Sequence, residues 1–228
     1  MSSNFHPDGT LFIVSGPSGA GKTTLINRVR SEVEPLGISL YFSVSHTTRT
    51  PRNGECHGVN YYYVAPEEFD AMVARGEFLE WAHVHRHRYG TSRGEVIDRL
   101  NRGEDVILDI DYQGARQIDS DKELKQRSLN VFIFPPTLDA LEKRLRDRGL
   151  NTDDEIDTRL RKAIDEIDVG KDFYDYVIIN DDLAEATECL KAAIIARKLK
   201  TKTALEAIAA MAERFKEEQR NGRIARGH

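Results

Sequence analysis

The chain has 228 residues, 39% hydrophobic and 31% charged, a balance that excludes a fibre or a disordered tail and suits one α/β domain with a mobile subdomain. A formal net charge of -5 speaks against a non-specific nucleic-acid binder, because phosphate backbones are held by surplus Lys and Arg. No apolar run reaches the roughly 18 residues a membrane span needs, and Met1 to Thr10 has no signal-peptide core, so a cytoplasmic protein without nucleic-acid or membrane partners is expected.

Taken in chain order, residues 11–15 form a short apolar run with β-branched side chains that stops at Gly16, and a helical pattern begins near Lys22. That is strand, loop, helix. From Tyr41 to Tyr89 the texture alternates polar and aromatic residues, with turn signals such as Arg52-Asn53-Gly54; an antiparallel insertion over 41–91 is predicted, a second and smaller lobe. Segments 106–110, 131–134 and 176–179 read as strands buried on both faces, separated by charged stretches of helical period. Such alternation predicts a parallel sheet wrapped by helices, with core segments 11–40, 92–137 and 169–200 in one domain spanning 1–228. The charged helical region 138–168 reads as a lid or as a solvated helix face. The tail is helix-forming from Leu183 to Gln219. Within its extension, 201–228, the residues Leu205, Ile208, Ala212 and Phe215 make one apolar stripe that packs on the chain itself or on a partner in a homo-oligomer. Cys56 and Cys189 fit no metal-ligand or redox spacing and read as ordinary thiols.

Gly16-Pro17-Ser18-Gly19-Ala20-Gly21-Lys22-Thr23 matches the Walker A pattern in full and lies between a strand and a helix. Small residues let such a loop turn its backbone N–H groups inward, and the helix behind adds its positive dipole end. Lys22 supplies an ammonium that can follow charge on β- and γ-phosphates, and Thr23, ahead of Thr24, can complete the shell of Mg²⁺. This signature names a nucleoside triphosphate and Mg²⁺. It does not separate ATP hydrolysis for mechanical work from phosphoryl transfer to a small acceptor. Arg49 and Arg52, three apart near a turn, can each grip a phosphate dianion through paired hydrogen bonds, although exposed salt-bridged arginines would read the same way. Asp109 ends an apolar strand, where parallel sheets present ligand-binding groups; its carboxylate can organise Mg²⁺ or orient an acceptor phosphate.

The run Ser43-Val44-Ser45-His46-Thr47-Thr48-Arg49-Thr50-Pro51-Arg52-Asn53-Gly54-Glu55, taken with the Walker loop, resembles the guanylate kinase family. Tyr61, Phe78-Leu79-Glu80-Trp81-Ala82, Tyr89-Gly90-Thr91 and Ile107-Leu108-Asp109-Ile110-Asp111-Tyr112-Gln113-Gly114 extend the resemblance, which runs from about Leu11 to Arg197. It implies a P-loop parallel sheet with a GMP-binding insertion and a helical lid. The implied reaction is ATP-dependent phosphorylation of GMP, and of dGMP, by in-line transfer in purine nucleotide metabolism, with Mg²⁺ as cofactor.

By this resemblance Arg49 and Arg52 hold the GMP phosphate, helped by Ser45, Tyr61 and Tyr89, and Glu80 reads the base. Guanine offers its N1–H and N2–H side by side, which one carboxylate can accept together, whereas adenine presents an acceptor at N1. Thr91 can donate to guanine O6, and Asp111 can take the remaining N2 hydrogen. Family positions also make Arg144, Arg148 and Arg159 lid arginines that close over the transferring phosphoryl group. Asn180 matches a position near the ATP base, or simply ends a strand. His85-Arg86-His87-Arg88 and His57 depart from the family's pattern. His83, His85 and His87 alternate, so along one strand they would share a face and suggest a metal site, though no acidic or cysteine ligand completes the set. Two rivals stay open. A non-catalytic binding module of the same fold is opposed by the intact Gly21-Lys22-Thr23 and the arginines, and a kinase for another monophosphate turns on Glu80 and Thr91.

Overall fold

The computed structural model describes residues 9–84, 86–147, 149, 152–169, 173–199, 211–218 and 220. In chain order the elements are β1 (Leu11–Ser15), α1 (Lys22–Val33), β2 (Leu40–Phe42), β3 (His46–Thr47), β4 (Tyr62–Tyr63), α2 (Pro66–Ala74), β5 (Phe78–Val84), β6 (His87–Ser92) and α3 (Arg93–Asn101). They continue with β7 (Asp105–Asp109), α4 (Tyr112–Ser120), α5 (Lys122–Arg127), β8 (Ser128–Phe134), α6 (Leu138–Asp147), α7 (Asp153–Val169), β9 (Tyr176–Ile179) and α8 (Leu183–Lys198). Residues 211–218 are also helical.

Five strands make the main sheet in the order β2-β7-β1-β8-β9, every neighbouring pair parallel. Side chains alternate across a strand, so β1 sends Phe12 and Val14 to one face and Leu11 and Ile13 to the other. The first face is covered by α1 through Leu25, Ile26 and Val29 and by α8 through Leu190 and Ile194. On the second face lie Val96 and Leu100 of α3, Ala115 and Ile118 of α4, and Leu124 of α5. Strands covered on both sides have no polar face, which is why they read as unbroken apolar runs. The expectation of two-sided burial fails at β9, where Val177 and Ile179 are 57% and 63% exposed. As the sheet's edge, β9 leaves open the side chains that a central strand would have covered.

The insertion forms a separate four-stranded sheet in the order β4-β3-β6-β5, with α2 packed on it through Phe69 and Met72 against Phe78. It is mixed, not antiparallel throughout: β3 with β6 and β5 with β6 are antiparallel, but β3 with β4 is parallel. Residues 48–61 carry the chain around a long loop that includes the Arg52-Asn53-Gly54 turn, and this crossover lets β4 run in the same direction as β3. The expected shared face for the histidines does not form either. His83 is on β5 opposite Arg88, and His87 is on β6 opposite Val84, so in this hairpin the two point to opposite faces; His85 lies outside the described residues.

The proposed lid segment is a pair of helices, α6 and α7, joined by Leu141, Leu145, Ile156 and Ala163. Near the end of α8, Lys198 reaches Asp105 at 2.6 Å, and Asp105 also accepts the Thr10 amide at 2.9 Å. Of the predicted tail stripe, Leu205 and Ile208 lie outside the described residues, while Ala212 and Phe215 are exposed. No helix among the described residues is long and apolar enough to cross a membrane.

Candidate active site

At the end of β1 the chain turns through the glycine loop into α1. Gly19 and Gly21 adopt φ of 98° and 90°, left-handed values that a side chain disfavours, and Gly21 is the residue that caps α1. Lys22 Nζ folds back to donate to the carbonyls of Gly16 at 2.8 Å and Pro17 at 3.3 Å. Parallel pairing sets Val14 beside Asp109, so β7 delivers its terminal carboxylate next to the loop. Asp109 Oδ1 stands 3.7 Å from Lys22 Nζ, and its Oδ2 accepts the Thr23 hydroxyl at 2.6 Å. A hydroxyl and a carboxylate oxygen converging beside a phosphate loop are the hard oxygen donors that Mg²⁺ prefers, so these residues fit that ion. Thr24 is exposed on α1 and does not line the cleft.

The far side of the loop is buttressed. Asn180, buried just past β9, donates Nδ2 to the Ala20 carbonyl at 2.7 Å, and its own carbonyl accepts Arg144 at 2.7 Å. Arg144 is therefore drawn to the strand end and is not among the residues lining the cleft. Arg159 of α7 does reach the loop, donating to Ser18 Oγ at 2.6 Å. Arg148 lies outside the described residues.

Across the cleft, Arg49 is buried between the rings of Tyr61 and Tyr63, its guanidinium carbon 5.4 and 5.8 Å from their centres. It donates to Glu55 Oε1 at 2.9 Å and to the Thr50 carbonyl at 2.9 Å. Glu55 also accepts the Arg52 amide and the Tyr63 hydroxyl, both at 2.8 Å. Burial pushes the Glu55 carboxyl up, but the hydrogen bonds from Arg49, the Arg52 amide and Tyr63 outweigh it and hold it at about 2. Tyr61 meets Tyr89 edge-on at 5.6 Å, and Ser45 and Arg52 line the same wall.

Deeper in, Glu80 is 4% exposed. A register shift in β5 between Phe78 and Glu80 sets Glu80 opposite Thr91 on β6, and the buried Thr91 hydroxyl donates to Glu80 Oε1. Burial pushes the Glu80 carboxyl up to about 7; the Thr91 hydroxyl pulls the other way, and the charge of Asp111 adds to the rise. Asp111 caps α4, accepting the amides of Gln113 at 3.0 Å and Gly114 at 3.1 Å.

Loop and pocket open into one cleft of about 250 Å³. It brings together Lys22, Thr23, Asp109 and Arg159 with Ser45, Arg49, Arg52, Tyr61, Tyr89, Glu80 and Asp111, while Pro17, Ala20, Thr91 and Asn180 stand behind its walls. The cleft also contains three ionisable residues that the sequence reading passed over: Glu55, Lys162 and Glu166. Lys162 lies 3.7 Å from Asp111 and 3.6 Å from the buried Glu166, whose carboxyl is raised by burial. Their spacing was a usable signal, because Lys162 and Glu166 follow Arg159 by three and seven positions, one helix face.

A phosphate loop at one end and a second buried cation with a base-sized pocket at the other, meeting in one cleft on a parallel sheet, define a P-loop nucleotide kinase. The particular family follows from comparison with known proteins. The family model described as guanylate kinase matches residues 8–197. A guanylate kinase of Carboxydothermus hydrogenoformans is 45% identical over 194 residues, covering 85% of this chain and 91% of that one. One from Dechloromonas aromatica is 47% identical over 192 residues, covering 84% and 91%. The crystal structure of guanylate kinase from Anaplasma phagocytophilum superposes with a TM-score of 0.70 at 30% identity, covering 86% of this chain and 89% of that one. The chain belongs to the guanylate kinase family.

Proposed function

We propose that transfer in this cleft is direct and in-line, with MgATP on the Gly16–Thr23 loop and GMP or dGMP in the pocket between Arg49 and Glu80. The chain phosphorylates GMP to GDP at the expense of ATP. The observation that carries the assignment of the two ends is that Lys22, Arg49 and Glu80 line one continuous cleft.

In this reading the loop amides and Lys22 hold the β- and γ-phosphates, and Asn180 with the loop residues Pro17, Ser18 and Ala20 frames the nucleotide. Thr23 and Asp109 would hold Mg²⁺, which would supply positive charge to offset that of the phosphates. Arg49 and Arg52 fix the acceptor phosphate with Ser45, Tyr61 and Tyr89, leaving an oxygen aimed at the γ-phosphorus. A phosphate dianion is already a competent nucleophile, so no side chain has to remove a proton from it; positioning and charge neutralisation do the catalytic work. Glu80 accepts guanine N1–H and N2–H, Thr91 turns its single hydroxyl hydrogen from Glu80 to O6 as the base enters, and Asp111 takes the other N2 hydrogen. Adenine would leave the buried carboxylate facing a lone pair, and leaving such a group unpaired makes discrimination large. dGMP presents the same phosphate and base edge and is accepted by the same contacts.

Arg159, together with Arg148, stabilises charge on the transferring phosphoryl as segment 138–168 closes as a lid, while Arg144 braces the strand end at Asn180, and closure keeps water from hydrolysing ATP. Segment 41–91 is the GMP-binding lobe, and the extension over 201–228 packs on the chain itself or joins copies of the chain. The setting is the cytoplasm, where the reaction recycles GMP.

A coupled assay offering GMP, dGMP, AMP and UMP with ATP tests this reading. Turnover with the two guanine nucleotides, abolished by chelating Mg²⁺, is expected. Turnover with none of the four would instead favour a binding module.

A further inference from the structure

Gly114 lies in the first turn of α4, and its φ is not among the positive values that call for glycine. Alanine would suit that backbone and would favour a helix over glycine. What excludes a side chain is Glu80: a Cβ on Gly114 would stand 2.2 Å from Glu80 Oε2, 2.8 Å from Cδ and 3.2 Å from Cγ. Glu80 has little freedom to step aside, since it is buried and its other oxygen is taken by Thr91.

A second contact fixes the strand on the same helix. Gln117 spans the open edge of β5 beside Glu80, donating Nε2 to the Trp81 carbonyl at 2.7 Å and accepting the Trp81 amide at 3.2 Å. β5 is an outer strand of its sheet, so this one side chain replaces the neighbour that a further strand would have supplied.

We infer that Gly114 and Gln117 are specificity-determining positioning residues: the notch left by the missing side chain, with the amide clamp beside it, sets where the Glu80 carboxylate meets the guanine base. The inference rests on the base-reading role proposed for Glu80. A carboxylate accepts two parallel donors only in one narrow placement, and a shift of about 1 Å takes a 2.9 Å hydrogen bond out of range. The phosphate grip and the ATP loop lie on other elements, so the loss should fall on GMP alone.

The test is a double-mutant cycle of Gly114→Ala and Glu80→Ala, reading kcat/KM for GMP, KM for ATP and Tm. Gly114→Ala alone is expected to lower kcat/KM for GMP about tenfold or more, with KM for ATP within about twofold and a Tm lowered by the overlap with the buried carboxylate. On top of Glu80→Ala it should cost less than about twofold, because the side chain it displaces is gone. If Glu80→Ala leaves GMP kinetics at the wild-type level, the base-reading role itself falls. If Glu80→Ala is damaging but Gly114→Ala is silent, or is equally costly in both backgrounds, the positioning inference is overturned. Should Gly114→Ala fail to fold, Gln117→Leu decides: a severalfold rise in KM for GMP at constant KM for ATP supports the inference, and wild-type kinetics overturn it.

Discussion

Glu80 enters the free protein with its carboxyl pushed up to about 7 by burial, yet a base-reading carboxylate has to be ionised to accept two donors. GMP must then displace a proton at low pH, so KM for GMP should fall about tenfold between pH 6 and pH 8. A steady-state pH series checks this, and Glu80→Gln should both weaken GMP use and flatten the profile. The sign for stability is the reverse. Because the folded protein holds this proton more tightly than a free side chain of pKa 4.5, the stabilisation is complete below 4.5 and is lost as pH rises through about 7, on the order of 3 kcal/mol. Glu55 behaves oppositely. Its depressed pKa of about 2 gives stability that is present above 4.5 and drains away as pH falls toward 2. Glu55→Gln should remove about 2 kcal/mol, measured by denaturant titration, and should raise KM for GMP as Arg49 loses the carboxylate that orients it.

At the scale of elements, α7 joins the two ends of the cleft. One face carries Arg159 to Ser18 of the phosphate loop and Lys162 to Asp111 at the cap of α4. Arg159→Ala should therefore lower kcat about a hundredfold while KM for GMP changes far less, since its contacts to the phosphoryl group would mature on closure. Single-turnover kinetics separate the two effects, and an unchanged chemical step would count against the lid role. The two sheets show why some elements were easier to foresee. Central strands covered by helices on both faces announce themselves as apolar runs, and 176–179 carries the same apolar, β-branched run although its strand lies at the edge. Its exposure was not foreseeable, because nothing in four residues says whether their strand is central or at the edge. The parallel course of β4 was likewise hidden, since short strands carry no mark of direction and only the path of the loop before them decides it.

For the whole molecule, the clamp of Lys198 on the buried Asp105 ties the end of α8 to the start of β7. The described core thus closes on itself before residue 200, and removing 200–228 should leave GMP turnover intact. If the extension joins copies, the same truncation should lower the sedimentation coefficient to that of a monomer; if it packs on its own chain, the oligomeric state should stay the same.

The sequence by itself determined that a strand, a glycine loop and a helix form a phosphate site, because that chemistry is local and its eight residues are consecutive. It also named, through resemblance, the residues proposed for the acceptor pocket. Only the tertiary structure decided that β7 sets Asp109 against Thr23, that Arg144 turns to Asn180 while Arg159 reaches the loop, and that Glu55 holds Arg49 in place. It alone showed that a Cβ on Gly114 would meet the Glu80 carboxylate. Except for Glu55 and Arg49, six positions apart, these relations join segments far apart in the chain. Close approach between them depends on how strands and helices pack, and no pattern of neighbours along the sequence encodes that distance.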